Sequence, residues 1–371
     1  MNLVLAFDKF KGTLTASEAC EAAERGLKAV LPNAVCVHCP IADGGDGTVE
    51  ALAATSTGRM LEAEVENALG SQRVQARFWL SEDGVATLEM ASASGLAMLD
   101  RDKLDPGKAN TFGTGQLMRA ALDAGAKRLV IGLGGSATND GGFGMARAFG
   151  YQFLDERGDS LSSPIDLIHL DRILRPLAGK LQVACLILVD VTAPLLGPQG
   201  ATAVFGPQKG TNTDTSVQLE AGLQRLADVA ARDLGVDHRN TPGAGAAGGL
   251  GFGLLTFCNG EIVPGFDHIC KRIGLDAAAQ KADWVITGEG SMDSQTLSGK
   301  GPHGVAKLAQ SYGKPVAAIA GHVPSEDRGK LVEALPHLFA LTDHFTTEEA
   351  MAEPARALEQ VAQKLGRQLA I

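Results

Sequence analysis

The sequence has no surplus of basic residues: 33 lysines and arginines face 43 acids, a formal charge of -10. A sequence-independent nucleic-acid binder needs a basic face, so that class is excluded, although a local basic pocket for an anion is not. No apolar run approaches the roughly 20 residues that span a bilayer. No signal peptide is read either, because MNLVLAFDKF runs straight into a strand. The six cysteines form no C-x-x-C pair, and most lie in apolar runs, as free core thiols do. Cys36, His38 and Cys39 are close in sequence, but strand alternation divides them between two faces, which argues against a metal corner. A reduced, cytoplasmic protein is expected. Three common mechanisms are missing: there is no G-x-x-x-x-G-K-[ST] P-loop, no H-R-D or D-F-G, and no G-x-S-x-G or H-E-x-x-H.

Glycine, by contrast, is abundant: 46 of 371 residues, against an average near 7%. The glycines cluster beside strand-like runs, where they allow sharp turns or close backbone approach to a ligand. The first sixty residues read β-α-β and then helix: a buried strand at 3–7, a helix at 16–30 capped by Thr15 or Ser17, a strand at 34–41 and a helix from 48 to 54. Residues 62–66, 73–80 and 85–90 follow hairpin grammar. After 283 the order is again β-α-β-α-β-α, closing with one long helix over 350–369. The chain ends therefore match each other and differ from the middle. The expected fold class is α/β with two α/β domains. Residues 1–60 plus 276–371 would form a flavodoxin-like parallel sheet ordered 2-1-3-4-5, with an inserted mixed α/β domain at 61–275. Two sequential domains split near 180 are the alternative.

Polar-glycine clusters stand at several predicted strand ends, where open α/β sheets bind ligands. FDKFKGT puts Asp8, Lys9 and Lys11 between a strand and a helix. ADGGDGT puts Asp43 and Asp46 after the second strand, a pattern suited to Mg²⁺ or a substrate hydroxyl. IGLGGSATNDGGFG carries Gly134, Gly135, Ser136, Thr138, Asn139 and Asp140. Its Gly132, Gly134 and Ala137 also fit the G-x-G-x-x-A dinucleotide fingerprint. Asp190 closes a strongly apolar strand, and Lys209 lies in the loop that follows. The G-x-G-x-x-G at 243–248 has no strand before it, so close packing of a glycine-rich helix is favoured there. Glu289, Asp293 and Lys300 occupy another acid-glycine turn. Carboxylates, lysines and flexible backbone amides together suit phosphoryl transfer.

FDKFKGTLTA, ADGGDGT, EMASASGLAML, TFGTGQL, IGLGGSATNDGGFGM, DVTAPLLGP with FGPQKG, GAGAAGGLGFGL and TGEGSMDSQTLSGKGP together resemble the bacterial glycerate kinase family, in its class without a P-loop and not the MOFRL type. The motifs run in family order from the first strand into the last third of the chain. Lys9 stands where serine is common in the family. The resemblance implies ATP-dependent phosphorylation of D-glycerate with Mg²⁺, in a cleft between two α/β domains, and 2-phosphoglycerate is favoured over 3-phosphoglycerate. It adds Ser92, Ser94 and Thr114 to the expected substrate or nucleotide contacts.

Within that frame Asp190 is the first choice of general base, with Asp293 second, or a Mg²⁺ ligand beside Asp43 and Asp46. Lys11 suits a carboxylate or phosphate, and Lys300 developing charge. The expected partners are D-glycerate and ATP, without nucleic acid or membrane, and a homodimer is compatible with them. An NAD(P)-dependent dehydrogenase of a small hydroxy acid is the competing enzyme reading, resting on Gly132, Gly134 and Ala137. A non-catalytic phosphate sensor is the third.

Overall fold

A computed structural model of the chain describes residues 1–42, 44–177, 179, 183–294, 296–298 and 301–370. By internal contacts the chain divides into two units. The first comprises Met1–Asp43, Glu50–Thr55 and Phe266–Ile371, the second Gly44–Val49 and Ser56–Gly265.

The first unit is built on five parallel strands ordered His337–Ala340, Val316–His322, Trp284–Ser291, Asn2–Phe7, Val35–His38. In chain order this is 2-1-3-4-5, the expected flavodoxin-like sheet made by both chain ends. Leu3, Leu5 and Phe7 are completely buried, as a continuous apolar strand covered on both faces requires. Each such side chain stabilises the fold by roughly 1.5–3 kcal/mol relative to an exposed one. The helix Ala16–Lys28 starts at Thr15, whose hydroxyl accepts from the Glu18 amide while the Glu18 carboxylate accepts from the Thr15 amide.

The single C-terminal helix expected over 350–369 is two helices, Thr347–Ala352 and Pro354–Leu369. Proline disfavours helical geometry in the residue before it, and Glu353 stands at φ -129°, ψ 60°. Pro354 then takes the first helical position, where its missing N–H costs nothing.

The second unit holds a six-stranded mixed sheet ordered Glu261–Val263, Ala184–Leu188, Arg128–Gly132, Val85–Glu89, Arg73–Ser81, Gly58–Glu66. The first four are parallel neighbours, and the last three form two antiparallel hairpins. A two-stranded ribbon, Gln152–Leu154 with Arg172–Leu174, flanks it. Phe153 packs edge-on against Phe143 at 4.9 Å and Phe257 at 5.7 Å in the core. The glycine-rich run is a helix, Ala246–Cys258, interrupted by left-handed backbone at Ala247, Gly248 and Gly249.

Candidate active site

In the first unit the chemistry collects at the carboxyl ends of Asn2–Phe7 and Trp284–Ser291. These neighbouring strands form the switch point of a 2-1-3-4-5 sheet, where ligands bind in this architecture. The Asp8 amide donates to Gly288 O at 2.8 Å, fixing the two strand ends together. The Asp8 carboxylate is buried; Oδ1 accepts from the Lys9 amide at 2.7 Å and lies 3.9 Å from Lys9 Nζ. Lys11 is exposed on the same loop. Glu289 Oε1 accepts from Thr296 Oγ1 at 2.8 Å, and Thr296 Oγ1 accepts from the Asp293 amide at 3.3 Å. Asp8, Lys9, Lys11, Glu289 and Asp293 are thus brought to one end of this sheet, whereas Lys300 lies outside the described residues.

In the second unit the ends of Val85–Glu89, Arg128–Gly132 and Ala184–Leu188 lie side by side. The turn after Gly132 is held on several sides. Ala137 N donates to Ser94 O at 3.0 Å and Leu96 N to Gly135 O at 2.8 Å. Asn139 Nδ2 donates to Thr202 Oγ1 at 3.0 Å. Lys209 Nζ donates to Ser136 Oγ at 2.8 Å and to Thr138 O at 2.7 Å. Burial pulls the Lys209 ammonium down to about 7, against the pull of Asp140. Burial pushes the Asp140 carboxyl up, and four donors oppose it: Thr111 N and Oγ1, Gly142 N and Gly144 N, at 2.8 to 3.0 Å. Asp190 is half-buried beyond the end of its strand, where Oδ1 accepts from Gly265 N at 2.9 Å.

Several expected ligand residues make hydrogen bonds within the protein. Ser94 and Thr114 are completely buried and bond to each other at 2.9 Å. Ser92 Oγ donates to Glu89 O at 2.7 Å. Asp140 is saturated by its own loop and by Thr111. Glu89 was not among the expected residues, yet it is buried and its Oε1 accepts from Val49 N at 2.8 Å. It anchors the Gly44–Val49 loop, which belongs to the second unit although the chain on both sides belongs to the first. An acid closing a buried strand is the signal that selected Asp8 and Asp190, and it applies equally to Glu89.

That loop also accounts for the fingerprint glycines. A Cβ at Gly132 would lie 2.6 Å from Gly44 O, and one at Gly134 would lie 2.5 Å from Gly45 Cα. The close approach that a dinucleotide fold reserves for pyrophosphate is occupied by the chain's own acid-glycine loop. Likewise a Cβ at Gly248 would lie 1.9 Å from Thr138 O, so the second glycine motif packs against the turn. Asp43 lies outside the described residues, and Asp46 is exposed. Among the described residues no group of three or more His, Cys, Asp or Glu is arranged to hold a metal ion, and no helix is long and apolar enough to cross a membrane.

Each α/β unit carries carboxylates, lysines and glycine turns at parallel strand ends, and the family match identifies a small-molecule kinase without a P-loop. The glycerate kinase family model matches residues 3–370, and the chain belongs to that family. It is 44% identical to a Bacillus subtilis glycerate kinase, over 98% of this chain and 97% of that one. It is 41% identical to an Escherichia coli glycerate 2-kinase, over 88% and 86%. A crystal structure of a Salmonella typhimurium protein assigned as glycerate kinase 2 matches with a TM-score of 0.85 at 39% identity, covering 100% of this chain and 98% of that one. The dehydrogenase reading is set aside.

Proposed function

We propose that this chain transfers the γ-phosphoryl group of ATP to D-glycerate, yielding 2-phosphoglycerate. The observation that carries this is the family match over 3–370. The placement of acid-glycine loops at parallel strand ends in each unit supports it. The 41% identity to a glycerate 2-kinase supports the 2-position.

Phosphoryl transfer asks little covalent chemistry of a protein; it needs positioning, charge neutralisation and a base for the acceptor hydroxyl. Asp190 suits the base, because Gly265 N holds Oδ1 while the carboxylate stays half-exposed. Asp293 is the second choice. Lys11, exposed on its loop, suits an anionic group of either substrate. Mg²⁺ enters as part of the nucleotide substrate. In phosphoryl-transfer sites it keeps waters and phosphate oxygens and uses only one or two carboxylates. Asp46, Asp190 and Asp293 are donors of that type.

The test is ADP release dependent on D-glycerate, with phosphorus NMR of the product. A product phosphorylated at C3 would overturn the 2-position, and no glycerate-dependent release would overturn the activity. Asp190→Asn should lower kcat by about 10²–10⁴ with both substrates still bound; a loss within about tenfold moves the base to Asp293.

A further inference from the structure

Lys209 ends a short turn, Pro207–Lys209, set between Gly206 and Gly210. Lysine is rarely buried without a partner, yet this one is 2% exposed. Both of its hydrogen bonds go to one turn, at Ser136 Oγ and Thr138 O. That turn is graded in accessibility: Gly135 is exposed, Gly134 half-buried, and Ser136 to Asp140 are buried. The ammonium therefore stands behind the turn, whose exposed residue is Gly135. Thr202, seven residues earlier, grips the same turn through Asn139.

Burying an ammonium costs free energy that hydrogen bonds and opposite charge must offset. A neutral amide could serve the same two acceptors at lower cost. Only the ammonium adds positive charge behind the exposed Gly135, and the neighbouring Asp140 carboxyl already accepts four hydrogen bonds.

We infer that Lys209 is a positioning residue for an anionic substrate. It shapes the Gly134–Thr138 turn and charges it from behind, so that an anion binds at the exposed Gly135 without touching the lysine. This rests on the kinase activity proposed above, whose two substrates are both anions: the phosphates of ATP and the carboxylate of glycerate.

The experiment compares wild type, Lys209→Met, Lys209→Gln, Ser136→Ala and the Lys209→Met/Ser136→Ala pair. MgATP is varied at saturating glycerate, and glycerate at saturating MgATP, all at about pH 6, where Lys209 carries its charge. Lys209→Met should raise the KM of one substrate by at least about tenfold, with kcat within about threefold and the other KM unchanged. The KM that moves identifies the anion. Lys209→Gln should raise that same KM, because it keeps donors and loses charge; it carries the test alone if Lys209→Met does not fold. Ser136→Ala should give a smaller rise, and the pair should be no worse than Lys209→Met. A Lys209→Gln enzyme with wild-type KM values overturns the inference, as does a kcat loss of about 100-fold with both KM values intact. Calorimetric titration of wild type and Lys209→Gln with ATP and with glycerate reads the same contrast without turnover. An inactive wild type would sink the kinase proposal alone; unchanged binding of both anions by Lys209→Gln would sink this one.

Discussion

Lys209 carries a titration that the unfolded chain does not share. Its folded value is brought down to about 7 from an ordinary 10.5. Between those two pH values the unfolded state binds more protons, so stability rises with pH across that window; below about 7 the contribution is absent. A methionine at 209 has nothing to titrate. The melting-temperature gap, wild type minus Lys209→Met, should therefore widen from about pH 6 to about pH 9 in scanning calorimetry. A gap constant with pH would mean the folded lysine keeps its ordinary value. At this scale the sequence revealed which residue types gather, because an acid that closes an apolar strand stands out, as Asp8 and Asp190 do. It did not reveal who bonds to whom. Ser94 and Thr114 are twenty residues apart and meet only because the helix Phe112–Asp123 packs near the end of Val85–Glu89. Their hydroxyls bond to each other within that packing.

The elements next to the turn are set by backbone clearance. Gly248 combines a φ of +66° with a Cβ position 1.9 Å from Thr138 O. Gly248→Ala should cost about 3 kcal/mol or more in chemical denaturation, since left-handed strain and a backbone clash add. Little loss would show that the Ala246–Cys258 helix can slide away from the turn. Glu89→Ala should be milder, about 1–3 kcal/mol, because it removes a buried acceptor from Val49 N. It should also raise proteolytic susceptibility around Gly44–Val49. Strand positions in the first unit were legible, since five apolar runs with β-α order admit few arrangements. The break at Glu353 was missed because the apolar period of a helix continues across Pro354, and only the rule against helix before proline marks it.

The whole molecule offers a ligand-level check. MgATP at about 100 times its Kd should stabilise the native state by about 2.7 kcal/mol, and NAD⁺ at equal concentration should not shift the melting midpoint. A shift with NAD⁺ instead would reopen the dinucleotide reading of Gly132 and Gly134. The interleaving of the ends was legible as matching β-α order on either side of a hairpin-rich middle. The return of Gly44–Val49 to the second unit was not, because nothing in ADGGDGT says which strand ends it docks on.

That nesting also schedules synthesis. Leu3 pairs in register with Trp284, so the first strand must wait for 281 further residues before its inner neighbour exists. At roughly 5–20 residues per second the delay is about 15–60 s. Only late in that delay, once Gly265 has emerged, can the second unit fold, and until then and beyond Leu3, Leu5 and Phe7 remain an apolar strand with one edge open. A ribosome stalled at about residue 300, with roughly the last 30 residues still in its exit tunnel, should therefore display a protease-resistant middle and a chaperone-bound beginning.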